Sequence, residues 1–347
     1  MKSKASDIDV EAYPLVSLVM PIKNEGAYIR EALASIDDQK YPRDRIEIIV
    51  ADGGSTDDTL KIIEEVKAGG RKIKVTGGPG VNCPLGMNLG IELAQGTIVA
   101  KIDGHGRMNN DFISTAVSYL MANPGVSCVG GQIVAVYSSD RGKSNYLARF
   151  SKFGVGSGIY TVQKKLQEID TVQCGVYIKK DLVRAGMFDP DLQFGEDEEA
   201  NYRLIQAGAK IVFHPQMEFH YQVRPTFKSL YKQYFNYGCA RVKVLIKHPS
   251  FLKIKHGIPA MMVLSLAASA ILPLLDRALL PLSAAVWGGY CLFLLVASLS
   301  VAAQHRFWKV HYLIVSFLCL HLGYGLGTLT GLKLVFPVFQ GRRAAKQ

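Results

Sequence analysis

Three short acidic clusters hold the side chains that could do chemistry in this chain of 347 residues. Asp103-Gly104-His105 closes the apolar run Thr97–Ile102 and sets a carboxylate and an imidazole two residues apart. At a strand end or tight turn both can reach one ion, and a hard oxygen paired with an imidazole nitrogen tolerates Mn²⁺ better than a site built only of waters and carboxylates for Mg²⁺. A divalent ion held there would neutralise charge on a departing diphosphate. Asp-Gly is also simply a turn dipeptide. Glu25 follows Leu18-Val19-Met20-Pro21, and Asp52 follows Ile48-Ile49-Val50-Ala51. Both could accept hydrogen bonds from a base or ribose, although a turn residue or a helix-start charge has the same composition. Gly195-Glu196-Asp197-Glu198-Glu199 crowds four carboxylates ahead of the helical run Ala200–Gln206. Crowding raises carboxyl pKa values, as a general base requires, and the helix dipole also favours acids at this position. The three clusters together, ahead of an apolar tail, suggest a metal-dependent enzyme that handles a phosphorylated donor at a membrane surface.

An alternating pattern of elements must bring these clusters together. Short β-rich runs (Leu15–Pro21, Ile46–Ala51, Ile73–Thr76, Ile98–Ile102, Val126–Val136) are separated by amphipathic stretches such as Ala27–Ser35 and Asp57–Val66. Strand–helix alternation predicts an α/β domain with a mostly parallel sheet, whose ligands bind at the carboxyl ends of the strands. Ser55-Thr56-Asp57-Asp58-Thr59 supplies the hydroxyl and carboxylate groups of a helix start. The formal charge is +11, yet residues before Gly257 carry 33 basic against 28 acidic side chains. That mixed surface speaks against nucleic acid as a partner. Six cysteines without a Cys-x-x-Cys pair argue against a disulfide framework or structural zinc and fit a reducing compartment. The polar Met1–Glu11 segment lacks the apolar centre of a signal peptide, so the first domain is expected to stay cytoplasmic.

Composition changes near residue 256. Ile258–Leu275, Leu279–Ala303 and Tyr312–Leu332 are uncharged and long enough to span a bilayer. Ahead of them, Gln222–Lys255 carries eight Lys/Arg, no acid, and interleaved Phe227, Tyr231, Tyr234, Phe235 and Tyr237. Basic and aromatic residues mixed in this way fit an anionic lipid headgroup layer. The expected partition is a catalytic domain over 1–221, basic interfacial helices over 222–256 and a transmembrane region of about three helices over 257–347. Three crossings would place Arg342, Arg343 and Lys346 opposite a cytoplasmic domain, against the positive-inside tendency. The Gly-rich Leu322–Leu332 is the segment that could instead be re-entrant or interfacial.

The ordered set Val19-Met20-Pro21-Ile22-Lys23-Asn24-Glu25, Val50–Thr59, Gly86-Met87-Asn88-Leu89-Gly90-Ile91 with Ala94-Gln95-Gly96, and Gly195-Glu196-Asp197 resembles glycosyltransferase family 2, inverting enzymes with the GT-A fold. The likeness runs from about Pro14 to Arg241. Within the family, Asp-Gly-His and the apolar tail resemble the ExoA-type glucosyltransferases of succinoglycan biosynthesis, which extend lipid-linked sugars for exopolysaccharide. The resemblance implies that Pro21, Glu25, Asp52, Asn88, Asp103 and Arg241 form the nucleotide-sugar site, with Asp52 on the base and Glu25 on the ribose side. It implies Asp197 as the base that deprotonates the acceptor hydroxyl, with Glu196 and Arg203 at the acceptor.

Two departures from the family pattern matter. The usual Asp-x-Asp is Asp-Gly-His here, as in the Asp-x-His of polypeptide N-acetylgalactosaminyltransferases, so Asp103, His105 and the distant His220 are the expected metal ligands. The Gln-x-x-Arg-Trp motif of processive synthases is replaced by Gln233–Arg241, which favours one sugar per encounter. The expected function is a multi-pass cell-membrane hexosyltransferase. It would move a sugar, glucose by the ExoA likeness, from a UDP-sugar to a polyprenyl-diphosphate-linked saccharide, with Mn²⁺ or Mg²⁺ as cofactor and membrane lipids as partners. Transfer to a polyprenyl phosphate is the nearest alternative. A silent sugar-nucleotide-binding scaffold is the alternative of another class.

Overall fold

The computed structural model describes residues 13–155, 165–251 and 256–344. Lys253, Lys255, Lys346 and the Met1–Glu11 segment fall outside the described residues. The chain divides into two compact units, residues 1–134 with 162–221 and residues 135–161 with 222–347.

The first unit is built on a mixed sheet of nine strands. Strands β1 (Val16–Ile22), β2 (Ile46–Asp52), β3 (Ile73–Gly77) and β4 (Ile98–Lys101) form its parallel half in the order β3-β2-β1-β4. In β1, β2 and β4 the runs of Val, Ile and Leu are buried on both faces, which is why they read as continuous apolar stretches, whereas β3 is an edge strand with only Ile73 buried. The order continues through β8 (Val176–Ile178), β6 (Val126–Val136), β9 (Lys210–Gln222) and β5 (Gly106–Met108), while β7 (Gln167–Glu168) pairs with β9. β8 joins β4 antiparallel, with Ile98 opposite Ile178. Helices α1 (Ile29–Asp37), α2 (Thr59–Ala68), α3 (Cys83–Leu93), α4 (Phe112–Ala122), α6 (Lys179–Arg184) and α7 (Glu196–Gln206) accompany the sheet. The core joins Val19, Ile49, Val99, Met87 and Ile91 to Tyr177, Phe188 and Leu204, so sheet, α3 and α7 share one apolar interior. The α/β class and the parallel strands expected from the sequence are present, with boundaries shifted by a residue or two.

The second unit is helical, with α5 (Asp140–Arg149), α8 (Phe227–Lys247), α9 (Ile258–Leu275), α10 (Leu280–His305) and α11 (Val310–Ala344). Thr226 starts α8 with a capping box: its side chain accepts from Ser229 N at 3.1 Å, and the Ser229 hydroxyl accepts from Thr226 N. Three segments, Ile258–Leu275, Arg277–His305 and Val310–Lys333, are long and apolar enough to cross a membrane.

Candidate active site

The site is assembled at the carboxyl edge of the parallel strands. The loop after β1 and the loop after β2 are tied to each other by side chains. Asn24 holds a left-handed backbone (φ 57°), accepts from Thr56 N at 2.8 Å through its Oδ1, and donates its own N–H to Ser55 Oγ at 2.9 Å. Glu25 N donates to Thr59 Oγ1 at 2.8 Å, and Gly26 N donates to Asp57 Oδ2 at 3.0 Å. Thr59 donates both its N–H and its hydroxyl to Asp57, whose carboxyl these bonds hold below the usual range. Asp52 is buried and accepts from Gly54 N at 2.9 Å, Ser55 N at 3.0 Å and the Ser55 hydroxyl at 2.5 Å. Its carboxylate therefore shapes the loop as well as ending the strand.

β4 delivers the second cluster. Its last residue, Lys101, is 3% exposed, and Asp103 follows two positions later. Gly104 lets this turn lie against the β1 loop, because a Cβ there would fall 2.8 Å from Ile22 and 3.0 Å from the Glu25 side chain. The next residue, His105, places Nδ1 at 2.9 Å from Glu25 Oε1 and turns its ring edge to Tyr221 at 5.1 Å. Cys174 donates its thiol to Asp103 Oδ2 at 3.8 Å, and burial pushes that thiol well up, so it remains protonated.

The third cluster meets the second across Lys101. Its Nζ lies 2.8 Å from Glu196 Oε1 and 2.8 Å from each oxygen of Asp197, at the first turn of α7. Burial opposes the ammonium charge, but Asp197 and Glu196 more than offset it and hold Lys101 well above its ordinary range. Burial pushes the Asp197 carboxyl up to about 7, helped by Glu196 and Asp103 and opposed by Lys101. A carboxylate that gains and loses its proton near neutrality is suited to general-base work. Cys83, at the start of α3, donates its thiol to Glu196 Oε1 at 3.8 Å.

Two further clamps fix the approach to α7. Asn88 on α3 donates to the Phe188 carbonyl at 2.7 Å and accepts from Phe188 N at 3.0 Å, while Asn82 donates to the Pro190 carbonyl at 2.7 Å. Arg203 grips Glu199 with two bonds of 2.7 Å and also donates to the Ala185 and Met187 carbonyls. Glu199 is 2% exposed, so this pair is interior.

Among the expected site residues, Asp103, Glu196 and Asp197 gather around Lys101, while Glu25 and His105 join one another. Pro21 sits beside them at the end of β1, opposite Ala51 of β2. Asp52, Asn88 and Arg203 each spend side-chain bonds on shaping the chain around the site. His220 is not brought to Asp103 and His105. It stands opposite Arg107 in the β5–β9 register, one residue from Tyr221 and hence on the other face of β9, with Nε2 3.5 Å from Glu218. Among the described residues no group of three or more His, Cys, Asp or Glu is arranged to hold a metal. Asp103 and His105 offer one carboxylate oxygen and one imidazole nitrogen, a donor pair that could hold a divalent ion only with further ligands from substrate phosphates or water. Arg241 belongs to the second unit, where its Nε donates to the Tyr324 hydroxyl at 3.3 Å. Lys101 is the residue sequence reasoning passed over. Its signal was present as a lone charge inside an otherwise apolar strand, two residues before the Asp-Gly-His triplet.

Residues 17–185 match the family model for Glycosyl transferase family 2. A dolichyl N-acetyl-alpha-D-glucosaminyl phosphate 3-beta-D-2,3-diacetamido-2,3-dideoxy-beta-D-glucuronosyltransferase of Methanococcus voltae is 28% identical over 65% of this chain and 72% of its own. The succinoglycan biosynthesis protein ExoA of Rhizobium meliloti is 25% identical over 79% of this chain and 83% of its own. Among solved structures, a mannosyltransferase of Pyrobaculum calidifontis in complex with GDP-Man and Mn²⁺ superposes with a TM-score of 0.55 at 22% identity, covering 87% of this chain and 86% of that one. The Lys101–Asp197 pair and the Asp103 turn stand at the edge of a GT-A sheet, residues 17–185 carry a glycosyl transferase family 2 domain, and the chain is a glycosyltransferase.

Proposed function

We propose that this chain is an inverting hexosyltransferase. It moves a sugar, glucose by the ExoA likeness, from a UDP-sugar to a polyprenyl-diphosphate-linked saccharide at the cytoplasmic face of the cell membrane, for surface or extracellular polysaccharide. The observation that carries the reading is the buried Lys101 at the end of β4, bridging Asp197 and Glu196 two residues ahead of Asp103. Asp197 takes the proton of the acceptor hydroxyl. The freed oxygen attacks the anomeric carbon from the face opposite the diphosphate, the bond to the diphosphate breaks, and the configuration inverts in one displacement. Glu196 contacts the acceptor, and Glu25, Asp52 and the chain around them receive the nucleotide. Asp103 and His105 hold the divalent ion, Mn²⁺ or Mg²⁺, which when bound supplies positive charge to the leaving diphosphate.

The name of the Methanococcus voltae relative describes transfer to a lipid-linked sugar phosphate, that of the Rhizobium meliloti relative describes polysaccharide assembly, and the solved mannosyltransferase holds a nucleotide sugar with Mn²⁺. Three apolar helices give a lipid-bound acceptor and a soluble donor a common meeting place. The test is transfer of label from a panel of radiolabelled UDP-sugars by the purified full chain with Mn²⁺ and lipid extract. Label should enter the lipid fraction with one donor, and should disappear with chelator and with Asp197→Asn. Transfer that tolerates Asp197→Asn would indicate a polyprenyl phosphate acceptor, which needs little base catalysis. Tight UDP binding without transfer from any donor would indicate a silent scaffold.

A further inference from the structure

The three apolar helices of the second unit differ in what covers them. In their most apolar stretches 28% of the residues are buried in α9 and 6% in the segment containing α10, against 56% in α11. Met261, Leu274, Leu275, Leu282 and Leu292 of α9 and α10 stand exposed, whereas Leu313, Phe317, Leu320 and Tyr324 of α11 are buried.

Leu294, Ala297, Val301 and Ala302 of α10 pack with Leu313, Phe317 and Leu320 of α11, and Gly325 lies against Pro259 and Val263 of α9. The rest of the cover on α11 comes from two elements that carry polar and charged residues, of which α5 lies along its first half. Lys309, just ahead of α11, pairs with Asp140, and the Ser316 hydroxyl donates to Asn145 Oδ1 at 2.9 Å. Asn145 in turn donates to the Arg224 carbonyl at 2.9 Å. A turn beyond α5, the Phe153 carbonyl accepts from His321 Nε2 at 2.9 Å. Over its second half the partner is α8. Gly323, Gly327 and Gly331 meet Tyr231, Phe235 and Cys239 in turn, so the two helices run parallel with their backbones touching. A Cβ on Gly327 would collide with the Phe235 carbonyl, and one on Gly238 with that of Tyr324. Cys239 donates its thiol to the Gly327 carbonyl at 3.1 Å.

This pairing fixes the environment of α11, because α8 goes wherever α11 goes. On α8, Lys228, Lys232, Lys243 and Lys247 are exposed, and only residues 233–240 separate Lys232 from Arg241. An uncharged stretch of that length is far below the roughly 20 residues that a bilayer core requires. Cations are costly in hydrocarbon, so a helix locked to α8 is a poor candidate to cross it.

We propose that the chain crosses the membrane twice, through an α9–α10 hairpin, and that α11 is the buried centre of a basic helical layer formed with α5 and α8 on the catalytic side. No membrane-length apolar run separates the catalytic unit from α8, which sets the side. The polar Asp276-Arg277 turn is then the tip of the hairpin on the far side. Two crossings also return Arg342 and Arg343, at the end of α11, to the side of the α8 lysines, in line with the positive-inside tendency. The inference rests on the membrane setting proposed above.

The test uses the full chain in cells, tagged at either terminus. Both tags should be digested by protease in inside-out vesicles and protected in spheroplasts. Arg277→Cys, compared with the unsubstituted chain as background, should react with an impermeant maleimide only from the spheroplast exterior. Tags on opposite sides would show α11 crossing and overturn the proposal. Labelling of Arg277→Cys from the inside would show that the hairpin does not cross and overturn it equally. Release of the protein from vesicles by alkaline carbonate would remove the membrane setting itself, and the proposal with it.

Discussion

Replacing Lys101 with methionine tests the electrostatics of the site directly. The substitution keeps an unbranched side chain of similar length and removes the ammonium that lies 2.8 Å from both Asp197 oxygens. Coulomb's law at a 4 Å charge separation and an effective dielectric of 20 gives about 4 kcal/mol, or roughly 3 pH units at about 1.36 kcal/mol each. Lys101 is shared with Glu196, and the Asp197 side chain is 19% exposed. Sharing and solvent screening bring the expected displacement to about 2 units. The acid limb of kcat/KM, set in the wild type by a carboxyl at about 7, should therefore move to about 9 in Lys101→Met. At pH 7 the ionised fraction of Asp197 falls from about a half to about one per cent, so kcat/KM should drop about 50-fold and recover about tenfold per pH unit toward 9. The assay is label transfer across pH 5.5 to 9.5 at subsaturating acceptor, with folding checked by circular dichroism. Lys101→Arg, which keeps a cation, should leave the midpoint near that of the wild type. An acid limb that stays in place in folded Lys101→Met, with activity lowered equally at every pH, would refute the reasoning and leave Lys101 a packing residue.

Asp197→Asn should lower transfer by about 10² to 10⁴-fold, the range for loss of a positioned base. Because burial raises the Asp197 carboxyl, its contribution to wild-type stability is present below its ordinary value of about 4 and lost as pH rises through about 7. The melting temperature of Asp197→Asn should therefore gain on the wild type across that window, and a parallel pair of curves would contradict the raised carboxyl. Arg203→Met removes the guanidinium that grips the buried Glu199 and should cost about 3–5 kcal/mol in urea unfolding, and Arg203→Lys, lacking the two-pronged geometry, should not restore it. Gly104→Ala forces a methyl against Ile22 and Glu25. It should reduce nucleotide affinity while costing about 1–3 kcal/mol of stability, as measured by UDP titration calorimetry and thermal melts.

Strands β1, β2 and β4 were legible because burial on both faces writes them as apolar runs, and the acidic clusters because strand ends expose whatever follows them. Side-chain destinations were less legible. Asn88 lies in a motif region, but only the fold shows both ends of its amide closing on Phe188. The charge on Arg203 is visible in sequence, whereas its interior partner Glu199 looks like one acid among four. His220 illustrates strand alternation: its neighbour Tyr221 faces His105, so His220 itself cannot share that face. Lys101 breaks an apolar strand pattern, a signal that reads equally well as an edge residue until α7 is laid over it. An apolar run of membrane length likewise says nothing of what surrounds it, and α11 and α10 differ in their neighbours far more than in their composition.

The hydrogen bonds tying Asn24, Glu25 and Gly26 to Ser55, Thr56, Asp57 and Thr59 are made by the chain's own groups and need no ligand to complete them. The rim proposed to receive the nucleotide is thereby a stiff mould, and its ordering belongs to the folding reaction instead of the binding reaction. Donor recognition can then be rapid and reversible, as suits a substrate drawn from a shared soluble pool. Sequence change that retunes the donor has to act through side chains lining the mould, because loosening its weave would forfeit the fold along with the specificity.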